Sequence, residues 1–224
     1  MEKLNVIIVG STGMVGRGVL LECIDSADVE SILLVNRNPI DIKHPKVKEL
    51  LVKDFSNLDA IRENLKGFNS CFYSMGITAV GASEEEYTHV MHDLTMVFAR
   101  QIHSLNPDLT FCFVSGAGTD SSEKSSQMWA RVKGRTENDL LRLEFNKAYM
   151  FRPGLIRPMR GIRSRTRWYN IFYTVTKPLG FLLKRMPKYV TDTSTLGRAM
   201  INVCTKGYST PILESKDINR AGAQ

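Results

Sequence analysis

The stretch Val6-Ile7-Ile8-Val9-Gly10-Ser11-Thr12-Gly13-Met14-Val15-Gly16 leaves this chain few folds to choose from. An apolar, β-branched run ends in glycines spaced G-x-x-G-x-x-G. Val15, Val19, Leu20, Cys23 and Ile24 then recur at helical spacing, so the glycines join a buried strand to a helix. A dinucleotide pyrophosphate sits at such a join. Gly10 suits the tight turn, Gly13 keeps a Cβ away from the phosphates, and Gly16 lets the helix lie close to the strand. Ser11, Thr12, Met14 and Val15 complete the loop, and the N–H groups that open the helix face the anion.

Strand and helix alternate onward from that loop. The patterning predicts strands over residues 5–9, 31–35, 47–52, 70–73, 109–114 and 148–151, with helices over 14–24, 57–65, 83–104 and 126–143. This is the pattern of an α/β fold with a Rossmann-type, doubly wound parallel sheet. After Gly154 the alternation stops. An Arg-rich loop, an aromatic helix over 168–183 and a last helix over 193–204 predict a small C-terminal helical segment, 155–224, on the substrate side of a single domain of residues 1–224.

Composition narrows the class. The chain has 224 residues, 43% of them hydrophobic, which suffices for one sizeable core. No window is apolar enough to span a membrane, and Glu2 and Lys3 lead straight into the first strand, which predicts a cytoplasmic protein without a secretory leader. Cys23, Cys71, Cys112 and Cys204 stand in apolar contexts without C-x-x-C pairs, so they read as reduced core residues and no metal site is expected. The net charge of +7 is concentrated in the Arg157–Arg167 segment. With aromatic residues following it, that segment reads as a peripheral contact with an anionic membrane surface or as a plain solvated loop. No recognised module accompanies it, so nucleic acid is not expected.

The end of the second strand reports cofactor choice. A carboxylate there would accept hydrogen bonds from ribose hydroxyls; this chain offers Asn36 and Arg37 instead, which favours NADP (NADPH) over NAD. The planar fork of Arg37 suits a 2′-phosphate. Asp54 and Phe55, after the third strand, are placed to meet the adenine. Ser74, Met75 and Gly76 after the fourth strand, with Lys133 and Pro153, complete the predicted cofactor-binding set.

The Gly10–Gly16 loop, Asp54, Ser115 after the fifth strand, Lys133 in the next helix and Phe151-Arg152-Pro153-Gly154 together resemble the atypical short-chain dehydrogenase/reductase superfamily. Within it the chain is similar to the HIV Tat-interacting oxidoreductase-like group. The resemblance implies catalytic roles for Ser115, holding a substrate oxygen, and for Lys133, binding the nicotinamide ribose and lowering the pKa of a tyrosine four residues before it. Here that position is Trp129. Indole N–H is a donor that does not titrate usefully, so the proton donor of the superfamily is missing. Three readings stay open. The chain reduces an unknown small-molecule substrate with another acid, such as Tyr87 or a bound water; it passes hydride to an acceptor needing no proton; or it binds NADP without chemistry, as a sensor or regulatory interaction protein.

Overall fold

The computed structural model describes residues 2–162 and 188–224. Its centre is β1 (Leu4–Val9), whose Val6, Ile7, Ile8 and Val9 are all fully buried because helices cover both faces of the sheet. β1 lies between β2 (Val29–Asn36) and β4 (Ser70–Tyr73), and all pairings in this sheet are parallel. With β3 (Val47–Leu51), β5 (Thr110–Val114), β6 (Lys147–Arg152) and β9 (Ile212–Glu214), the order is β3-β2-β1-β4-β5-β6-β9. Strand order reverses at β1, so a crevice opens beyond the carboxyl ends of β1 and β4.

Alternate residues of β1 feed two cores. Ile7 and Val9 pack with Tyr73, Phe98 and Phe111 on one side, under α2 (Glu84–Thr88), α3 (Leu94–Leu105) and α4 (Met128–Arg142). Val6 and Ile8 pack with Leu20 and Met200 on the other, under α1 (Met14–Asp25) and α5 (Thr193–Lys206). Close approach of α1 and α5 depends on small residues. A Cβ on Gly18 would collide with the Thr193 side chain, and one on Gly197 would lie 2.8 Å from Glu22 Cγ.

Three features depart from the patterning. Residues 57–65 form a 3-10 helix over Asp59–Leu65, and the long helix expected over 83–104 is interrupted by a π turn over His89–Asp93 between α2 and α3. The segment after Gly154 supplies strands as well as helices: β7 (Leu155–Arg157) pairs with β8 (Val190–Asp192), and β9 extends the main sheet beside β6 before α6 (Ser215–Ala221). Strands of three residues are too short to show a period; their place comes from tertiary pairing.

Candidate functional site

Two of the loop glycines are required by the chain itself. Gly10 has φ +87°, and a Cβ there would stand 2.7 Å from the Met75 nitrogen; a Cβ on Gly16 would collide with the Gly10 carbonyl and lie 2.7 Å from Ser74 Oγ. Gly13 differs. Its φ of −82° and ψ of 165° suit any residue, and the nearest atom to an added Cβ is the Gly10 oxygen at 3.4 Å. Among the described residues no contact demands glycine there, although Gly13 is the N-cap of α1, a position that glycine suits better than alanine does. α1 has no side-chain cap and no acidic residue in its first turn, which leaves its leading N–H groups for an anion.

The crevice above this loop is lined by Gly10, Thr12, Gly13, Asn36, Arg37, Phe55, Ser74, Met75 and Gly76. Arg37 is exposed at its rim and has no ion-pair partner among the described residues. Asn36 acts as scaffold: its Oδ1 accepts from Ser11 Oγ at 2.9 Å, and its Nδ2 donates to Glu49 Oε1 at 2.8 Å. Ser11 is thereby buried beneath the loop, while Met14, Val15 and Gly16 form the first turn of α1. Glu49, which also accepts the Ile40 N–H at 3.2 Å, is a tie that sequence reasoning missed; its two-residue alternation on β3 carried no polar signal. Asp54 does not line the crevice with Phe55. Its carboxylate is held by the Ser56 hydroxyl at 2.7 Å and N–H at 2.8 Å, which lower its pKa.

Ser115, Lys133 and Pro153 do not line that crevice; they meet where β5 and β6 end, and there Trp129, Lys133 and Glu137 follow at four-residue intervals on one face of α4. Lys133 Nζ donates to the Ser115 carbonyl at 2.5 Å, and burial lowers its pKa to about 8 against the opposing pull of Glu137. Ser115 Oγ donates to Glu137 Oε1 at 2.5 Å and also faces the Phe151 carbonyl at 3.1 Å. Glu137 is fully buried. Arg152 Nε meets both of its oxygens at 3.1 Å and Nη2 adds a close third contact, while Arg152 also bonds Ser121 Oγ and approaches Glu214 at 3.6 Å. Pro153 is buried beside this network, and its carbonyl accepts the Ala117 N–H at 2.9 Å. Sequence reasoning missed Glu137; its spacing from Lys133 was the available signal.

Trp129 and Tyr87, the alternative acid, stand in different surroundings. Trp129 is half-buried, with its ring edge 3.0 Å from where a Cβ on Gly118 would stand. Tyr87 is 2% exposed, packs in the first core, and burial raises its pKa to about 12, an environment that keeps the phenol protonated and away from solvent. Of the Arg157–Arg167 segment, Arg157 lies in β7, and Arg160 pairs with Asp25 at 2.8 Å and Glu22 at 3.5 Å on α1. Arg163, Arg165, Arg167 and the helix expected over 168–183 lie outside the described residues.

No family model matches the chain. Protein FMP52, mitochondrial, of Debaryomyces hansenii is 27% identical over 213 residues, 94% of this chain and 90% of that protein. Protein fmp52, mitochondrial, of Aspergillus clavatus is 31% identical over 166 residues, 70% of this chain and 68% of that protein. Protein HTATIP2 of Rattus norvegicus is 24% identical over 226 residues, 99% of this chain and 90% of that protein. The fold matches a short chain dehydrogenase family protein from Francisella tularensis, with TM-score 0.65 at 12% identity over 95% of this chain and 96% of that one. It also matches the Bordetella bronchiseptica enzyme WbmF in complex with NAD+, with TM-score 0.68 at 14% identity over 98% of this chain and 77% of that one. The fungal relatives correct the cytoplasmic expectation, since they are named mitochondrial. That expectation rested on a missing secretory leader, which argues against secretion and does not choose among the compartments inside a cell. Among the described residues no helix is long and apolar enough to cross a membrane.

Proposed function

The chain belongs to the FMP52 family and has the fold of a short chain dehydrogenase family protein, and on that premise we propose that it binds NADP over the Gly10–Gly16 loop as a reductase-like protein with altered proton chemistry. Gly13 carries the reading. A glycine that neither its own dihedral angles nor its neighbours require stands where a Cβ would meet a pyrophosphate, at the open start of α1. Arg37, exposed at the rim of the same crevice, is the group for a 2′-phosphate. The experiment is titration of the protein's fluorescence with NADPH and NADH. Arg37→Asp weakens NADPH by about tenfold or more and NADH little, because the lost contact is charge-assisted; equal loss of both overturns the choice of NADP.

A bound nicotinamide would supply hydride, and the protein has to supply the rest. With indole at 129, the group at this end able to give a proton is Lys133, an ammonium whose pKa of about 8 lies near neutrality. The substrate of such a reduction is a small molecule.

A second reading, an NADP-dependent sensor without turnover, is favoured by one observation. The Ser115 hydroxyl, which would hold a substrate oxygen, already donates to Glu137 at 2.5 Å. Assay of the wild type against carbonyls, quinones and flavins separates the two. Turnover that disappears in Lys133→Met supports the reductase. NADPH binding without turnover, together with carbonyl reduction gained by Trp129→Tyr, supports the sensor.

A further inference from the structure

The opposite end of the sheet holds an open surface depression of about 500 Å³, which the dinucleotide reading does not use. Its floor is Gly207, the residue that ends α5 with φ +76°. Lys147, the first residue of β6, lines it, whereas Arg152 and the Ser115 network stand at the last. Five residues of extended strand separate the two ends by about 16 Å. This depression is therefore distinct from the crevice.

Its chemistry is one-sided. Lys147, Lys206 and Arg220 line it together with the hydroxyls of Tyr149, Tyr208 and Ser209, and no carboxylate side chain does. The nearby acid, Asp217, is occupied, accepting from the Tyr208 hydroxyl at 3.0 Å. Lys206 Nζ donates to the Gln224 backbone oxygen at 2.8 Å, and among the described residues Lys147 has no ion-pair partner.

Tyr149 turns a basic surface into a built site. It is 5% exposed, and its hydroxyl accepts the Tyr208 N–H at 3.0 Å while, among the described residues, donating to nothing. Its O–H remains a donor at the pocket wall, free to meet an acceptor there. The location of the acceptor is defined by Gly207. A Cβ built on this glycine would stand 3.6 Å from Lys147 Nζ and 3.9 Å from Tyr149 Oη, so the ammonium and the phenol converge on the open space above it.

We propose that this depression binds a phosphate monoester group, with Lys147 Nζ and the Tyr149 hydroxyl on its oxygens, Arg220 and Lys206 completing the charge, and the remaining volume taking the organic part of the ligand. Lys147 and Arg220 together with the Tyr149 O–H offer donors to more than two oxygens, which suits a phosphate dianion better than a single carboxylate. A soluble phosphate monoester and the monoester headgroup of phosphatidic acid share this chemistry.

The test uses the full chain, with inorganic phosphate titrated by calorimetry against chloride at equal ionic strength, and with sedimentation on phosphatidic acid vesicles as the second arm. Lys147→Met and Arg220→Met, both at exposed positions, and Tyr149→Phe are compared with Gly13→Val, which blocks the dinucleotide loop and leaves this depression intact. Saturable phosphate binding that falls about tenfold or more in Lys147→Met and Tyr149→Phe, and is unchanged in Gly13→Val, establishes the site for a soluble ligand. Retention on vesicles with the same dependence on Lys147 and Tyr149 identifies the headgroup instead. Binding that follows Gly13 rather than Lys147, or no saturation above chloride in either arm, overturns the proposal.

Discussion

At the Gly10–Gly16 loop the atoms in contact are backbone: Gly10 against Met75, Gly16 against Gly10, and open N–H groups at the start of α1. At Ser115 they are side chains brought from α4, β6 and β9, with Glu137 at the centre, bonded to Ser115 on one side and to Arg152 on the other. A backbone cradle tolerates any side chain that keeps out of its way and is damaged by added volume. A side-chain network tolerates volume poorly and charge removal not at all, because an unpaired buried ion keeps its desolvation cost.

The sharpest way to break this contrast is at Glu137. Replacing it by leucine leaves Arg152, whose side chain is 11% exposed, without its buried carboxylate. Urea denaturation should show a loss of about 3–5 kcal/mol, the range for breaking one partner of a buried pair. Glu137→Gln, which keeps the shape and an acceptor, should cost less. A loss within the noise for Glu137→Leu would mean that the network adds nothing to stability and that it does not differ in kind from the loop.

The glycines sharpen the other side of the comparison. Gly16→Ala forces a Cβ into the Gly10 carbonyl and should cost about 1–3 kcal/mol of stability, as overpacking does. Gly13→Ala meets only ordinary contact at 3.4 Å and should cost no more than about 0.5–1 kcal/mol for an alanine at the N-cap of α1, yet lower NADPH affinity by about tenfold. Denaturation and titration on the same two proteins check both halves. If Gly13→Ala destabilises as much as Gly16→Ala, the inference that its glycine serves a ligand fails.

The same contrast explains what was legible in the sequence. The loop, α1 and the apolar β1 are local and periodic, so Gly10, Gly13 and Gly16 announce themselves, and Arg37 follows from strand geometry alone. Glu137 was hidden because its partners lie 15 and 22 residues away in the chain and its own helix reads as ordinary. β9 escaped for the related reason that three residues acquire their strand identity only by pairing with β6. Phe55 reaches the crevice and Asp54 does not, a difference of one residue at a strand end where patterning cannot choose a side.

Lys133 joins the two regions, being a side chain whose bond is to a backbone carbonyl, and it gives the smallest expected effect. Its pKa is lowered from an ordinary 10.5 to about 8, chiefly by burial. Below pH 8 both folded and unfolded chains carry the proton, and the folded one bears the desolvation cost in full. Between pH 8 and pH 10.5 the unfolded chain binds more protons than the folded one, so this residue's contribution to stability rises with pH. Lys133→Met has no such titration. The difference in stability between wild type and variant, measured by denaturation at pH 7.5 and again at pH 10, should shift toward the wild type by on the order of 1 kcal/mol. A difference independent of pH would place the Lys133 ammonium in solvent, remove it as a proton donor near neutrality, and leave the Ser115, Glu137 and Arg152 network to stand without it.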